Sequence, residues 1–133
     1  MPIRPGIHPT LQYADCPAAI AFLERAFGFT TKDRYDDDSG GIAHAQLVLD
    51  GNLIMVSTLK PNPYGIASPT RLGGVTGSIS VTLADPASHY ARAVAAGADI
   101  ITPLSAKDYG GSSYDVRDIG GHVWTFGDYD PWG

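Results

Sequence analysis

The sequence predicts an α+β domain built from two similar units, each reading as a strand, a helix and three further strands. Three observations predict it. Features recur at an offset of 70 residues, two helix-like stretches each follow an aspartate, and strand-like runs are broken by glycine-containing turns. At that offset Asp15 meets Asp85, Leu11 meets Val81 and Tyr13 meets Leu83. Gly51 likewise meets Gly121, and the runs after them, Leu53 to Val56 and Val123 to Phe126, both read as strands. Identity between the halves is low, so the order of signals carries the duplication.

In the first unit, Ile7 to Ala14 reads as a strand. Asp15 then offers an N-cap oxygen, Pro17 is tolerated in the first turn, and Gly28 stops the helix. Ile20, Leu23 and Phe27 fall at helical spacing and predict a buried stripe. After an Asp- and Gly-rich turn from Asp36 to Gly41, Ala43 to Leu49 and Leu53 to Ser57 predict a hairpin turned at Asp50-Gly51. The stretch Leu59 to Gly74, with three prolines, reads as a linker. The second unit reads Ser78 to Leu83, a helix over Pro86 to Ala96, then Asp99 to Pro103, Ser113 to Arg117 and His122 to Gly127. The linker is too short to separate independent domains. The expectation is one domain over 1–133, with module 1 at 5–58, linker 59–74 and module 2 at 75–130.

Composition narrows the function. A chain of 133 residues, 44% apolar, can bury roughly 68% of its unfolded surface without staples. The lone Cys16 excludes an internal disulfide framework and fits a reducing compartment. No apolar run approaches the ~20 residues of a membrane span, and Met1 to Pro9 lack a signal peptide's apolar centre. A cytoplasmic protein that neither crosses nor enters a membrane is expected. Nine Lys and Arg against fourteen Asp and Glu give a net charge of −5, which disfavours nucleic acid as a partner. Only 17% of residues are charged, a deficit that points to surface covered by another subunit.

Alternation along the strands sorts their faces. Ile7, Leu11 and Tyr13 share one side and His8, Thr10 and Gln12 the other; Ile79, Val81 and Leu83 oppose Ser78, Ser80 and Thr82. Trp124 and Phe126 belong to the helix side, leaving Val123 and Thr125, with Leu53 and Met55 as their equivalents. The polar faces either lie in solvent or line a pocket between two curved sheets; alternation does not choose.

The run from Tyr109-Gly110-Gly111 through Val116-Arg117-Asp118 and Gly120-Gly121-His122 to Phe126-Gly127 resembles the last two strands of the glyoxalase/bleomycin-resistance/extradiol dioxygenase superfamily, the vicinal oxygen chelate proteins. Tyr13-Ala14-Asp15 through Phe27-Gly28 is similar to that family's opening, as is Asp85 through Gly97. The resemblance implies two tandem βαβββ modules whose curled mixed sheets form a cup, commonly in a homodimer. Metal-dependent members place a ligand, usually His or Glu, on the first and last strand of each module. Those positions fall here on His8, Met55, Ser78 and Thr125. One imidazole, a thioether and two neutral hydroxyls make a poor set for a hard divalent ion, and the sole glutamate, Glu24, lies in a helix. Neither a metal nor another cofactor is therefore expected.

His44 and Gln46 also fall on cup-facing positions, but no ligand spacing supports a rearranged site. His89 and His122 are expected at the surface, and Asp36 to Asp38 is expected to be a solvated turn lacking an EF-hand's spacing. Cys16, at a helix start, has no basic partner and is expected to pack rather than react. The glycine pairs make no phosphate-binding fingerprint. The predicted ligand-binding set is His8, Thr10, Gln12, His44, Gln46, Met55, Ser78, Ser80 and Thr125, with Tyr109, Tyr114 and Trp132 as rim aromatics. The leading reading is a metal-independent small-molecule-binding protein that sequesters or recognises an antibiotic or aromatic metabolite. The rival is a metal-assisted lyase, isomerase or dioxygenase with a rearranged site, or a metal-free enzyme using His8 or His44 as base. The acidic balance would favour a cationic ligand through its long-range field.

Overall fold

A computed structural model describes residues 2–133; Met1, the first residue of the predicted domain, lies outside the described residues. The elements run β1 (Thr10–Tyr13), α1 (Cys16–Phe27), β2 (Thr30–Asp36), β3 (Ile42–Leu49), β4 (Asn52–Thr58), α2 (Pro69–Leu72), β5 (Ile79–Thr82), α3 (Pro86–Ala95), β6 (Asp99–Ala106), β7 (Ser112–Arg117) and β8 (Val123–Gly127). They form two four-stranded mixed sheets with matching orders, β1-β4-β3-β2 and β5-β8-β7-β6. In each, the first strand runs parallel to the last and the other pairs are antiparallel. Thr10 pairs with Met55 and Ser80 with Thr125, so the sequence offset of 70 survives as identical register.

Local chemistry explains the elements. The Asp15 carboxylate accepts from the Ala18 amide and the Asp85 carboxylate from the Ser88 amide, both at 3.1 Å, so each aspartate caps its helix. Gly28 closes α1 at φ +77°, a conformation that costs a glycine little. Asp50 and Gly51 both have positive φ, 48° and 77°, as a two-residue hairpin turn of primed type requires.

The first strand is shorter than predicted. Pro5 and Pro9 lack an amide hydrogen, and only the Pro9 carbonyl joins the ladder, accepting from the Met55 amide at 2.9 Å. Residues 2–9 therefore form an exposed arm, with Ile3 and Ile7 more than nine-tenths exposed. The linker contains the unpredicted short helix α2, capped by the Ser68 hydroxyl and stopped by Gly73.

One core serves both modules. Ile20, Leu23 and Phe27 are buried, as their spacing predicts. Phe27 meets Phe126 and Trp124 of the second sheet at ring-centre distances of 4.9 and 5.6 Å. Helices α1 and α3 touch each other and each packs on its own sheet. The two sheets are thus joined through their helix-covered faces, and their open faces turn away from the shared core.

Two buried polar links cross the module boundary. His89 is not at the surface, as the sequence led us to expect, but buried, because Pro86, His89 and Ala93 form the inward face of α3. Its Nε2–H donates to the Phe27 carbonyl at 2.7 Å, and the Tyr114 hydroxyl donates to its Nδ1 at 2.6 Å. Burial holds the imidazole below its usual pKa, only partly opposed by the Phe27 carbonyl. The second link is Asp118, whose carboxylate accepts from the Tyr13 hydroxyl (2.6 Å), the Trp124 indole (3.0 Å) and the Gly120 and His122 amides (2.9 and 3.0 Å).

Candidate functional site

The open face of the first sheet carries two cross-strand rows. Register places Thr10, Met55, Gln46 and Asp33 in one, and Gln12, Ser57, His44 and Tyr35 in the next. His44 stacks on Tyr35 at 6.4 Å, and the Gln46 amide donates to His44 Nε2 at 3.3 Å. On the second sheet Ser80, Thr125, Asp115 and Thr102 share a row, and the Thr125 hydroxyl donates to Asp115 at 2.6 Å. Gln12, His44, Gln46, Met55 and Thr125 are half-buried, because alternation sets them opposite the buried Ala45, Ile54, Val56, Trp124 and Phe126.

Where the modules adjoin, a cavity of about 780 Å³ opens between the arm, the β3–β4 turn and β5. His8, Ser78 and Ser80, with more than half of the chain between the first and the other two, meet in its wall. Phe29, Ile54 and Val81, all largely buried, form apolar wall, with Ile79 and Leu53 beside them. Arg4 and Lys32 add two cations. Gly6 lets the arm fold over its own imidazole, since a Cβ there would lie 3.0 Å from the His8 ring.

The predicted set therefore divides. His8, Ser78 and Ser80 gather at the junction, while Thr10, Gln12, His44, Gln46, Met55 and Thr125 lie on the open faces. Tyr109 is exposed on the β6–β7 turn, edge-on to Tyr129 at 5.1 Å, and Trp132 is almost fully exposed near the C-terminus. Tyr114 is a correction: it lies in the core against Phe126 and His89, not at the rim. The pairing Tyr114↔Phe126 puts it on the helix side, a parity its neighbours already held in the sequence. Arg4, Lys32 and Phe29 were missed: Arg4 lies on the arm, and Phe29 and Lys32 lie just before and within β2, a strand that the sequence reading did not assign.

Cys16 is fully buried, and burial pushes its thiol up to about 11, so the start of α1 supplies no reactive thiolate.

The ligand positions that the resemblance transfers do not fit a divalent ion. His8 stands on the exposed arm, Met55 offers only a thioether, and the Thr125 hydroxyl is committed to Asp115. Among the described residues, no three His, Cys, Asp or Glu side chains converge as a ligand group. One imidazole with a thioether and hydroxyls is too weak a donor set to retain such an ion.

The family model of the Glyoxalase/Bleomycin resistance protein/Dioxygenase superfamily matches residues 7–126. The chain belongs to this superfamily. An uncharacterized protein of Mycobacterium bovis is 32% identical over 127 residues, covering 94% of this chain and 84% of that protein. An uncharacterized protein of Mycobacterium tuberculosis shows the same identity over 75% of its own length. Among solved structures, TioX from Micromonospora sp. ML1 is 36% identical with a TM-score of 0.73, covering 92% of this chain and 94% of TioX. The fosfomycin resistance protein FosX of Mesorhizobium loti, 13% identical, shares the fold with a TM-score of 0.66 over 98% of this chain and 95% of its own. These likenesses account for the two matching mixed sheets and identify the superfamily's architecture in this chain.

Proposed function

We propose that this superfamily member is a small-molecule-binding protein that sequesters or recognises its ligand without a metal, and that it works as a homodimer. The junction cavity carries the proposal. Its volume of about 780 Å³ falls within the roughly 300–1,000 Å³ of small-molecule sites, and its wall is mainly apolar with a few convergent polar groups. His8, Ser78, Ser80 and Asn52 can orient a ligand by hydrogen bonding, while Phe29, Ile54 and Val81 supply contact area. An aromatic metabolite or an antibiotic suits that lining, and the superfamily's name already includes bleomycin resistance.

The two open faces support the homodimer. They bear half-buried Leu53, Met55 and Val123 beside polar neighbours, and a second copy would cover them. A single cysteine, buried in the core, fits a reducing cytoplasmic setting. Nucleic acid and membrane are not part of the proposal: the charge of −5 opposes the first, and no helix among the described residues is long and apolar enough to cross a membrane.

The test is a thermal-melt screen of aromatic metabolites and antibiotics, run beside elemental analysis of the purified protein. The proposal predicts a saturable shift from at least one compound and no stoichiometric metal. His8→Ala should keep the fold and weaken that compound's affinity. One tightly held divalent ion per chain would overturn metal independence.

A further inference from the structure

We propose that the junction cavity selects an anion: an aromatic or branched aliphatic body ending in one carboxylate, sulfonate or phosphonate that lies against Arg4 and Lys32. The inference rests on the reading that this cavity binds a small molecule, and adds the chemical class. The wall contains two permanent cations and no carboxylate. That is a local inversion, because the chain has fourteen acids against nine Lys and Arg, and an even spread would place about two acids among these residues.

The two cations differ in what they can offer. No ion pair among the described residues engages Arg4. Its planar guanidinium is free to grip a carboxylate through two parallel hydrogen bonds. Lys32 already lies 2.8 Å from Asp33, but both side chains are well exposed, so water screens the pair and the ammonium can turn to a second anion. Phe29, Ile54 and Val81, all largely buried, give the wall its apolar part, against which a ring or branched chain can be withdrawn from water. The Ser78 and Ser80 hydroxyls are further donors for the anion or for a polar substituent, whereas the Asn52 amide already donates to the Leu49 and Asp50 carbonyls. The cavity's local charge thus opposes the preference for cations that net charge alone implies, and at contact distance the local charges prevail because the distant ones are screened.

Three probes sharing one ring system separate the possibilities: 2-naphthoate, 2-naphthamide and 2-naphthylmethylammonium, each titrated by calorimetry into the full chain at low ionic strength. Naphthoate should bind roughly fivefold to tenfold tighter than the neutral amide, the yield of one charge-assisted pair at a partly exposed site. That advantage should shrink on adding salt. Arg4→Gln, on the exposed arm, should remove most of it while leaving the amide's affinity within about twofold, since the amide makes no ion pair. Ser80→Trp, which fills the cavity, should abolish binding of all three. If the amide or the ammonium binds as tightly as naphthoate, the anion preference is overturned and the cavity reading stands. Naphthoate binding that survives both substitutions overturns this assignment by placing the anion elsewhere. No binding of any probe overturns the cavity reading and this inference with it.

Discussion

Removing one oxygen from Tyr13 tests how the modules are held together. The Tyr13 side chain is 2% exposed and its hydroxyl donates at 2.6 Å to Asp118, itself 5% exposed, in a link that joins β1 of one module to the β7–β8 turn of the other. Tyr13→Phe keeps the ring, so cavity formation is minimal. It removes one of the four donors around a buried carboxylate, leaving the Trp124 indole and two amides. A hydrogen bond to a charged group contributes about 1.5–3 kcal/mol, so a loss of about 2 kcal/mol is predicted. For a chain of this size that is a fall in Tm of roughly 6–12 °C. Asp118→Asn should cost more, about 3–4 kcal/mol, because the amide nitrogen must then face donors where an oxygen accepted. Urea denaturation followed by far-ultraviolet circular dichroism measures both, and a Tyr13→Phe/Trp124→Phe cycle measures the coupling of those two donors through the shared Asp118 oxygen. A Tyr13→Phe loss below about 0.5 kcal/mol would refute the reasoning, since it would show a hydroxyl no better paired than in water.

The remaining predictions concern other buried groups. His89 has a folded pKa below its ordinary value of about 6.5, so the neutral form is favoured by folding. Its contribution is present above pH 6.5 and is lost as pH falls from there through the folded value; Tm measured against pH should drop in that window, and His89→Gln should flatten the drop. The Cys16 thiol, buried and pushed up to about 11, should resist a disulfide reagent at pH 8 in the native protein and react at once in denaturant; rapid native labelling would contradict its placement. Gly127→Ala should destabilise by about 1–3 kcal/mol, because a Cβ there would lie 2.7 Å from the Ser112 carbonyl, read by the same urea titration.

Much of the fold was legible because its signals are local. Asp15 and Asp85 cap because their carboxylates reach amides three residues on, and Asp50-Gly51 turns because both accept positive φ. Where the reading failed, long-range packing decided. Helix spacing alone already grouped His89 with Pro86 and Ala93, yet histidine's polarity suggested solvent; its two partners, Phe27 and Tyr114, come from other elements. Tyr114 was assigned to the rim although its ladder partner, Phe126, was correctly placed inside. The strand expected from Ile7 lost its first three residues to the prolines around it, which converted His8 from a strand position to part of an arm. Of the proposed site, strand alternation singled out His8, Ser78 and Ser80, while Arg4 and Lys32 gave no such signal. Asp118 belongs to the Arg117-Asp118 strand ending, and nothing in its neighbours in sequence announces that Tyr13, 105 residues away, will donate to it.

The most direct test of the proposed binding site is a crystal structure of the protein grown with 2-naphthoate. The account predicts ligand density between the arm and β5, with the ring against Phe29 and Val81 and the carboxylate beside Arg4. Density on an open sheet face beside Met55 or Thr125, with the junction unfilled, would contradict it.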